Sequence, residues 1–268
     1  MDRITLEDIF VRIVVVDDNV EYSTMVADYL NNGFVAKNVD LILANATAPL
    51  QAAASATSTI PVLGTSITDY ASALEISGWT GTVGTNVSGT SDLAPLSEQA
   101  AMIKELFPEA KKVGILFCSS EANSVYQVEE IEKYLAALSV STERFSFTDT
   151  NDVASVAQKA ADSCDVIYIP TDNTAASNTE AIANVVIPAK TPVVAGEEGI
   201  CAGCGVATLS ISYYDIGYAT GEMAVEILKN GADVSKMPVQ YAPQVTKKYN
   251  ASICEQLGIK APEGYVAI

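Results

Sequence analysis

The chain has no histidine among its 268 residues. That removes Ser-His-Asp and Cys-His catalysis and most zinc sites. A neutral-pH enzyme would be left with lysine, tyrosine and carboxylates for proton transfer. No nucleophile–base pair can be placed among these, so the expectation is binding rather than catalysis, with no cofactor. Positive charge is scarce as well: 15 Lys and Arg stand against 33 Asp and Glu, a net charge of −18. Phosphate binding needs clustered Lys and Arg, so this balance argues against nucleic acid. No apolar run approaches the roughly 18–20 residues of a membrane span. The start, MDRITLEDIF, is acidic and lacks the apolar stretch of a signal peptide. Read literally, such a chain would be cytoplasmic. Cysteines are few and odd in number: Cys118, Cys164, Cys201, Cys204 and Cys254. An odd count excludes a fully paired framework. ICAGCG holds a single C-x-x-C, and a tetrahedral metal site would need two more good ligands. Structural thiols or a local Cys201–Cys204 disulfide are expected rather than a metal or redox centre.

What is present is apolar: 49% of the residues are hydrophobic and 18% charged, enough for a large core. Strand-like segments fall at 12–16, 40–44, 61–64, 81–85, 112–117, 142–146, 166–170, 192–195, 207–211 and 239–242. Several are continuous apolar runs, as in parallel strands buried on both faces. Helical patterns lie between them, at 20–36, 49–56, 71–76, 96–106, 124–138, 152–163, 178–186, 215–229 and 247–257. This alternation predicts a doubly wound α/β fold. Two series of units are separated near LFPEAKKVGIL.

Ligands of open α/β sheets gather outside the carboxyl ends of the strands. Small polar loops stand at those places here: ANAT (44–47), GTSITDY (64–70), GTNVSGTSD (84–92), FCSSEANS (117–124), PTDNTAASN (170–178) and GEEG (196–199). One such loop alone is ordinarily a turn or a helix cap. Six at equivalent positions on two α/β halves predict a cleft between two lobes.

The same loops carry a family resemblance. VDLILANATAPLQAAA, IPVLGTSITDY, GTNVSGTSDLAP, MIKELFPEAKKVGILFCSSEANS, DVIYIPTDNTAASNTEAI, PVVAGEEGICAGCGVATLSISYYDIGYATGEMA and VTKKYNASICEQLGI resemble ABC-transporter substrate-binding proteins of the tryptophan/tyrosine type. The resemblance runs from about residue 33 to 268. It implies the type I periplasmic-binding-protein architecture: two Rossmann-like lobes with parallel sheets, closing on an amino acid. It also implies an ABC permease as partner and an extracytoplasmic location, periplasmic or as a lipoprotein. With crossovers near Pro108, Gly205 and Lys236, the first lobe would be 11–108 plus 206–236. The second would be 109–205 plus 237–268.

In such a cleft the ligand carboxylate suits helix N-termini and small hydroxyls. For it the candidates are Thr47, Thr65 and Ser66, with Asn86 nearby; Asn45, Ser119, Thr171 and Asn173 are further candidates for ligand contact. The ammonium suits a carboxylate, first Asp172 and then Glu198. The plainer alternatives are a helix N-cap for Asp172 and a solvated acid or hinge contact for Glu198. Tyr70 and Tyr213 could pack on an aromatic ligand or serve as ordinary wall residues.

The start departs from the family pattern. VRIVVVDDNVEYSTMVADYL (11–30) resembles the first strand and helix of a response-regulator receiver, and only one helix separates Asp17 from Asn45. The first lobe is thus expected to be shortened by one strand–helix unit, with apolar surface left uncovered that would favour a dimer. Receiver chemistry needs an acceptor aspartate and a lysine. Asn45 stands at the acceptor position and WTGTVGTN has no lysine, so a Mg²⁺-dependent phospho-switch built on Asp17 and Asp18 is the weakest reading. Asp18 or Asn19 capping the helix is the plainer one. A receiver/binding-protein hybrid scaffold without transport function is the alternative.

Overall fold

The computed structural model describes residues 12–16 and 39–268. Its strands, in chain order, are β1 (Ile13–Val16), β2 (Leu41–Asn45), β3 (Val62–Ile67), β4 (Val87–Ser91), β5 (Lys112–Cys118), β6 (Ser141–Phe147), β7 (Val166–Ile169), β8 (Val193–Ala195), β9 (Ala207–Ile211), β10 (Gln240–Tyr241), β11 (Val245–Tyr249) and β12 (Val266–Ala267). Its helices are α1 (Thr47–Ala56), α2 (Tyr70–Ala73), α3 (Leu96–Leu106), α4 (Ala122–Ala137), α5 (Val153–Ser163), α6 (Asn173–Ala176), α7 (Thr179–Ala189), α8 (Glu198–Cys204), α9 (Tyr213–Asn230) and α10 (Ala251–Leu257). No helix among the described residues is long and apolar enough to cross a membrane. The expected helix at 20–36 and the pair Asp17 and Asp18 lie outside the described residues.

Two compact units emerge, Met1–Asp92 with Tyr213–Ala242 and Leu93–Ser212 with Pro243–Ile268. The first holds a parallel sheet in the order β1-β2-β3-β4-β10. β2 and the start of β3 are apolar on both faces because helices cover both. Ile42 and Ala44 pack with Leu50 and Ala53 of α1, while Leu41 packs with Leu63 and Met223 of α9 on the other side. Among the described residues β1 stands at one edge, with Ile13 paired to Leu41 and Val16 to Ala44.

The second unit holds a sheet in the order β12-β11-β9-β8-β7-β5-β6, parallel except where β11 meets β9. Alternation again divides the strands between two cores. Val113, Ile115 and Phe117 face α3 and α4, whereas Leu116 and Cys118 face the side of α5 and α7. Tyr168 is fully buried and its hydroxyl donates to Gln99 Oε1 at 2.5 Å. The Gln99 amide in turn donates to the Gly196 carbonyl at 3.1 Å.

The crossings between units fall after Asp92, Ser212 and Ala242 rather than near Pro108, Gly205 and Lys236. Helix α3, expected in the first lobe, buries Leu96, Ala100 and Ile103 in the core of Val113 and Ile115. Strand β9 is hydrogen-bonded to β8 and β11, also in the second unit. Strand β10, assigned by its sequence to the second lobe, pairs with β4 in the first.

One strand was misplaced along the sequence. The expected strand at 81–85 is irregular, because Gly81 and Gly84 turn the chain with φ of +92° and +79°. The strand is VSGTS at 87–91, fully buried although mostly polar. Its hydroxyls are satisfied: Ser88 donates to the Met237 carbonyl at 2.9 Å, and Thr90 and Thr220 share a hydrogen bond of 2.8 Å. Likewise 245–249 forms β11, and the last long helix begins only at Ala251, where the Asn250 side chain accepts from the Ile253 N–H at 3.1 Å.

Candidate functional site

Each unit presents its loops at the carboxyl ends of its parallel strands. In the first unit the chain leaves β2 through Ala46, held at φ +79°. A side chain at positive φ costs roughly 1–3 kcal/mol and persists only where the surroundings impose it. The Ala46 N–H donates to the Thr65 carbonyl at 3.0 Å, and Asn45 stands opposite Thr65 in the register. Ser66 is a second such residue, at φ +55°, within the irregularity between Gly64 and Ile67 that re-aims the end of β3. Two strained non-glycine residues thus lie at adjacent strand ends.

Helix α1 starts directly after Ala46. Its N-cap offers no side-chain acceptor, and its first turn contains no acidic residue. The first backbone bond of the helix is made by Leu50, to the Ala46 carbonyl at 3.2 Å. Pro49 has no N–H, which leaves those of Thr47 and Ala48. Neither has an acceptor among the described residues. Two unmade donors on the positive end of a helix dipole constitute an anion-binding arrangement. Thr65 contributes its hydroxyl nearby, accepting from Thr90 Oγ1 at 3.3 Å.

Other expected residues are structural. Asn86 lies at the amino end of β4, away from the loops above. Its amide donates to the carbonyls of Thr57 at 3.0 Å and Ile60 at 2.7 Å. Misplacing the strand had put Asn86 at the wrong end of it. Tyr70 is a core residue, 2% exposed, with its hydroxyl donating to the Thr90 carbonyl at 3.2 Å. Burial, then the Asp92 charge, pushes its phenol well above the usual range. Asp92, at the carboxyl end of β4, escaped the sequence reading. It is 4% exposed and accepts from the Tyr213 hydroxyl at 3.4 Å. Its position directly after GTS in a polar loop was the available signal.

In the second unit Asp172 is 1% exposed. Its carboxylate accepts from the Cys118 N–H at 2.6 Å, the Ser124 hydroxyl at 2.8 Å and the Ala175 N–H at 2.7 Å. Asp172 is the N-cap of α6 and a tie between the ends of β5 and β7, not an exposed partner for an ammonium. Burial, then the charge of Glu121, pushes its carboxyl up to about 6. Glu121 completes the network, accepting from the N–H groups of Asn173 at 2.9 Å and Thr174 at 2.8 Å. Asn173 also points its amide at Glu121, at 3.1 Å. Thr171 is clamped by Gln127, whose Oε1 accepts the Thr171 N–H at 2.9 Å. Ser119 is exposed, and its hydroxyl donates to the Phe147 carbonyl at 3.2 Å.

Glu198 is likewise engaged. It accepts from Lys248 Nζ at 2.5 Å and from Ser210 Oγ at 3.3 Å. Its neighbour Glu197 caps α8, accepting from the Gly199 N–H at 2.6 Å and from the Ile200 N–H. The five cysteines are free thiols, with Cys118, Cys201, Cys204 and Cys254 buried.

A family model, the ABC transporter substrate binding protein, matches residues 12–267. The chain belongs to that family. The match begins at residue 12, so the start that resembled a receiver lies inside it. The tyrosine-binding protein of Clostridioides difficile (strain R20291) is 34% identical over 206 residues, 77% of this chain. The aligned part spans 59% of that relative's length. Among solved structures, an ABC domain in complex with L-Trp from Streptococcus pneumonia is 33% identical with a TM-score of 0.84, over 94% of this chain and 86% of that one. A conserved domain protein from Vibrio cholerae is 32% identical with a TM-score of 0.85, over 91% and 83%. The fold is that of a type I periplasmic binding protein, α/β with parallel sheets in two lobes. Substrate-binding proteins of ABC transporters bind solutes rather than transform them.

Proposed function

We propose that the chain is the amino-acid-binding component of an ABC importer and takes tyrosine, tryptophan or a similar aromatic amino acid outside the cytoplasm. It acts by binding, not by catalysis. The observation that carries this reading is the open first turn of α1: two N–H donors, of Thr47 and Ala48, at the strained exit of β2. A carboxylate satisfies both donors and the helix dipole at once. Thr47, Thr65 and Ser66 are the hydroxyl-bearing neighbours, and Asn45 adjoins them. The ammonium is assigned to Asp92, which directly follows β4 at its carboxyl end, in the same unit as this turn. Tyr213, bonded to Asp92 and 39% exposed, supplies an aromatic wall. A family match from residue 12 favours this over a hybrid scaffold.

Isothermal calorimetry with L-tyrosine, L-tryptophan, L-phenylalanine and L-aspartate tests it. Binding of at least one aromatic amino acid is expected, with L-aspartate inert. A ligand at 100 times its dissociation constant should also add about 2.7 kcal/mol of stability. Absence of heat and of thermal shift with every amino acid would overturn the reading.

A further inference from the structure

The second sheet reverses its direction of growth once. From β5 the chain steps outward to β6, then crosses back over β5 to β7 and continues to β8 and β9. The connections after β5 and β7 part to opposite faces: α4 packs on the side of Ile115 and Phe117, and α7 on the side of Leu116 and Cys118. Ligands of open α/β sheets bind in the crevice that such a reversal opens outside the carboxyl ends of its strands. Thr171 stands there, just past the end of β7, half-buried. Its hydroxyl has no hydrogen-bond partner among the described residues and is not sealed from solvent.

The backbone of Thr171 is held from α4. Gln127, 1% exposed, accepts the Thr171 N–H at 2.9 Å through Oε1 and donates from Nε2 to the Thr171 carbonyl at 2.9 Å. Its Nε2 also donates to the Asn123 carbonyl at 3.0 Å, and the Asn123 amide gives the Thr171 carbonyl a second donor at 3.0 Å. From the other side the loop after β8 rests on the same residue: a Cβ at Gly196 would lie 2.7 Å from the Thr171 nitrogen. That loop is itself fixed by Gln99, which donates to the Gly196 carbonyl and accepts from Tyr168. An apolar side chain of the size of Gln127 would fill the same space with no amide to desolvate. What the amide adds is a fixed place for the Thr171 backbone, and with it for the open hydroxyl.

We infer that Gln127 is a positioning residue for solute binding, acting through Thr171, whose hydroxyl makes a hydrogen bond to the bound amino acid. Asp172 and the Asn173 amide are spent on protein partners, which singles out Thr171 in this loop. With its N–H and carbonyl both engaged, the Thr171 backbone is held in one orientation. The hydroxyl therefore meets the solute with little ordering left to do. Tyr168 and Gln99 support the same point from the β8 side. The inference rests on the reading that the chain binds an aromatic amino acid, and it adds a contact from the second unit.

The test is a double-mutant cycle in calorimetry with L-tyrosine and L-tryptophan, on Gln127→Met, Thr171→Val and the two combined. All are measured at a temperature where circular dichroism shows each fully folded. Each single variant should weaken affinity about three- to tenfold, and the double variant no more than the weaker-binding single one. Ile131→Ala opens a cavity one turn further along α4 in the same core. It should lower the urea midpoint and leave affinity unchanged. If Gln127→Met does not fold, Gln127→Glu, which keeps an acceptor for the Thr171 N–H, takes its place under the same criteria. Unchanged affinity in the Gln127 variant or in Thr171→Val, losses that add in the double variant, or an equal loss in Ile131→Ala would each overturn the inference while leaving the ligand reading intact. A parent chain that binds neither amino acid would overturn the ligand reading and this inference with it.

Discussion

The Ser124 hydroxyl donates to Asp172 Oδ2 at 2.8 Å, joining the start of α4 to the start of α6 inside the second unit. With the N–H groups of Cys118 and Ala175, it makes Asp172 a buried knot of the fold. Its carboxyl is pushed up to about 6, above the ordinary value of 3.8. The folded state therefore holds its proton more tightly than the unfolded state does. The contribution to stability is fully present below about pH 4 and is lost as pH rises through about 6. Asp172→Asn should flatten this slope in urea unfolding measured from pH 4 to 7; an unchanged slope would assign it to another group.

Removing the knot outright should cost more. Asp172→Ala deletes a helix cap and leaves the buried N–H groups of Cys118 and Ala175 without acceptors. A loss of about 2–4 kcal/mol is expected in denaturant unfolding.

Gly89 has φ +143°, and a Cβ there would lie 2.0 Å from the Gly64 carbonyl oxygen and 2.4 Å from the Tyr70 hydroxyl. Backbone cannot retreat by that much without breaking the β3–β4 pairing. Gly89→Ala should destabilise the first unit by about 4 kcal/mol or more, read as a lower unfolding midpoint.

At α1 the donors can be removed singly. Proline is favoured at the first helical position, so Thr47→Pro deletes one N–H at small cost to folding. A charge-assisted hydrogen bond lost to the ligand carboxylate should weaken binding by about 1.5–3 kcal/mol in calorimetry. Unchanged affinity would remove this turn from the site.

Burial pushes the Cys201 thiol up, and with the charge of Glu197 it pushes Cys204 up to about 12. Thiolates are therefore suppressed at pH 8. Ellman's reagent should spare both in the native chain and label them after denaturation. Rapid native labelling, or no labelling of the denatured unreduced chain, would point to exposed or disulfide-bonded sulfurs.

Much of the architecture was legible because continuous apolar runs mark strands buried on both faces. β2, β5, β7, β8 and β9 appear where LILAN, KVGILFC, VIYI, VVA and ATLSI stand. Helix α3 matches its expected span, 96–106, because its apolar positions repeat on one side. β4 was missed because VSGTS hides behind polar letters; Ser88 and Thr90 are buried only because Met237 and Thr220 bond their hydroxyls. Those partners come from distant parts of the chain, and no local pattern announces them.

The same division holds for the site. The residues themselves determined the α/β class, the polar loops after the strands and the want of histidine chemistry, since these follow from composition and short-range period. Only the tertiary structure decided which loop residues are already spent. Asp172 and Glu198 are the acids the sequence offers to an ammonium, yet each finds donors from remote segments, Cys118 and Ser124 for one and Lys248 for the other. The open donors of Thr47 and Ala48 became visible only with the strained backbone of Ala46, because an unmade hydrogen bond is a property of geometry rather than of residue type.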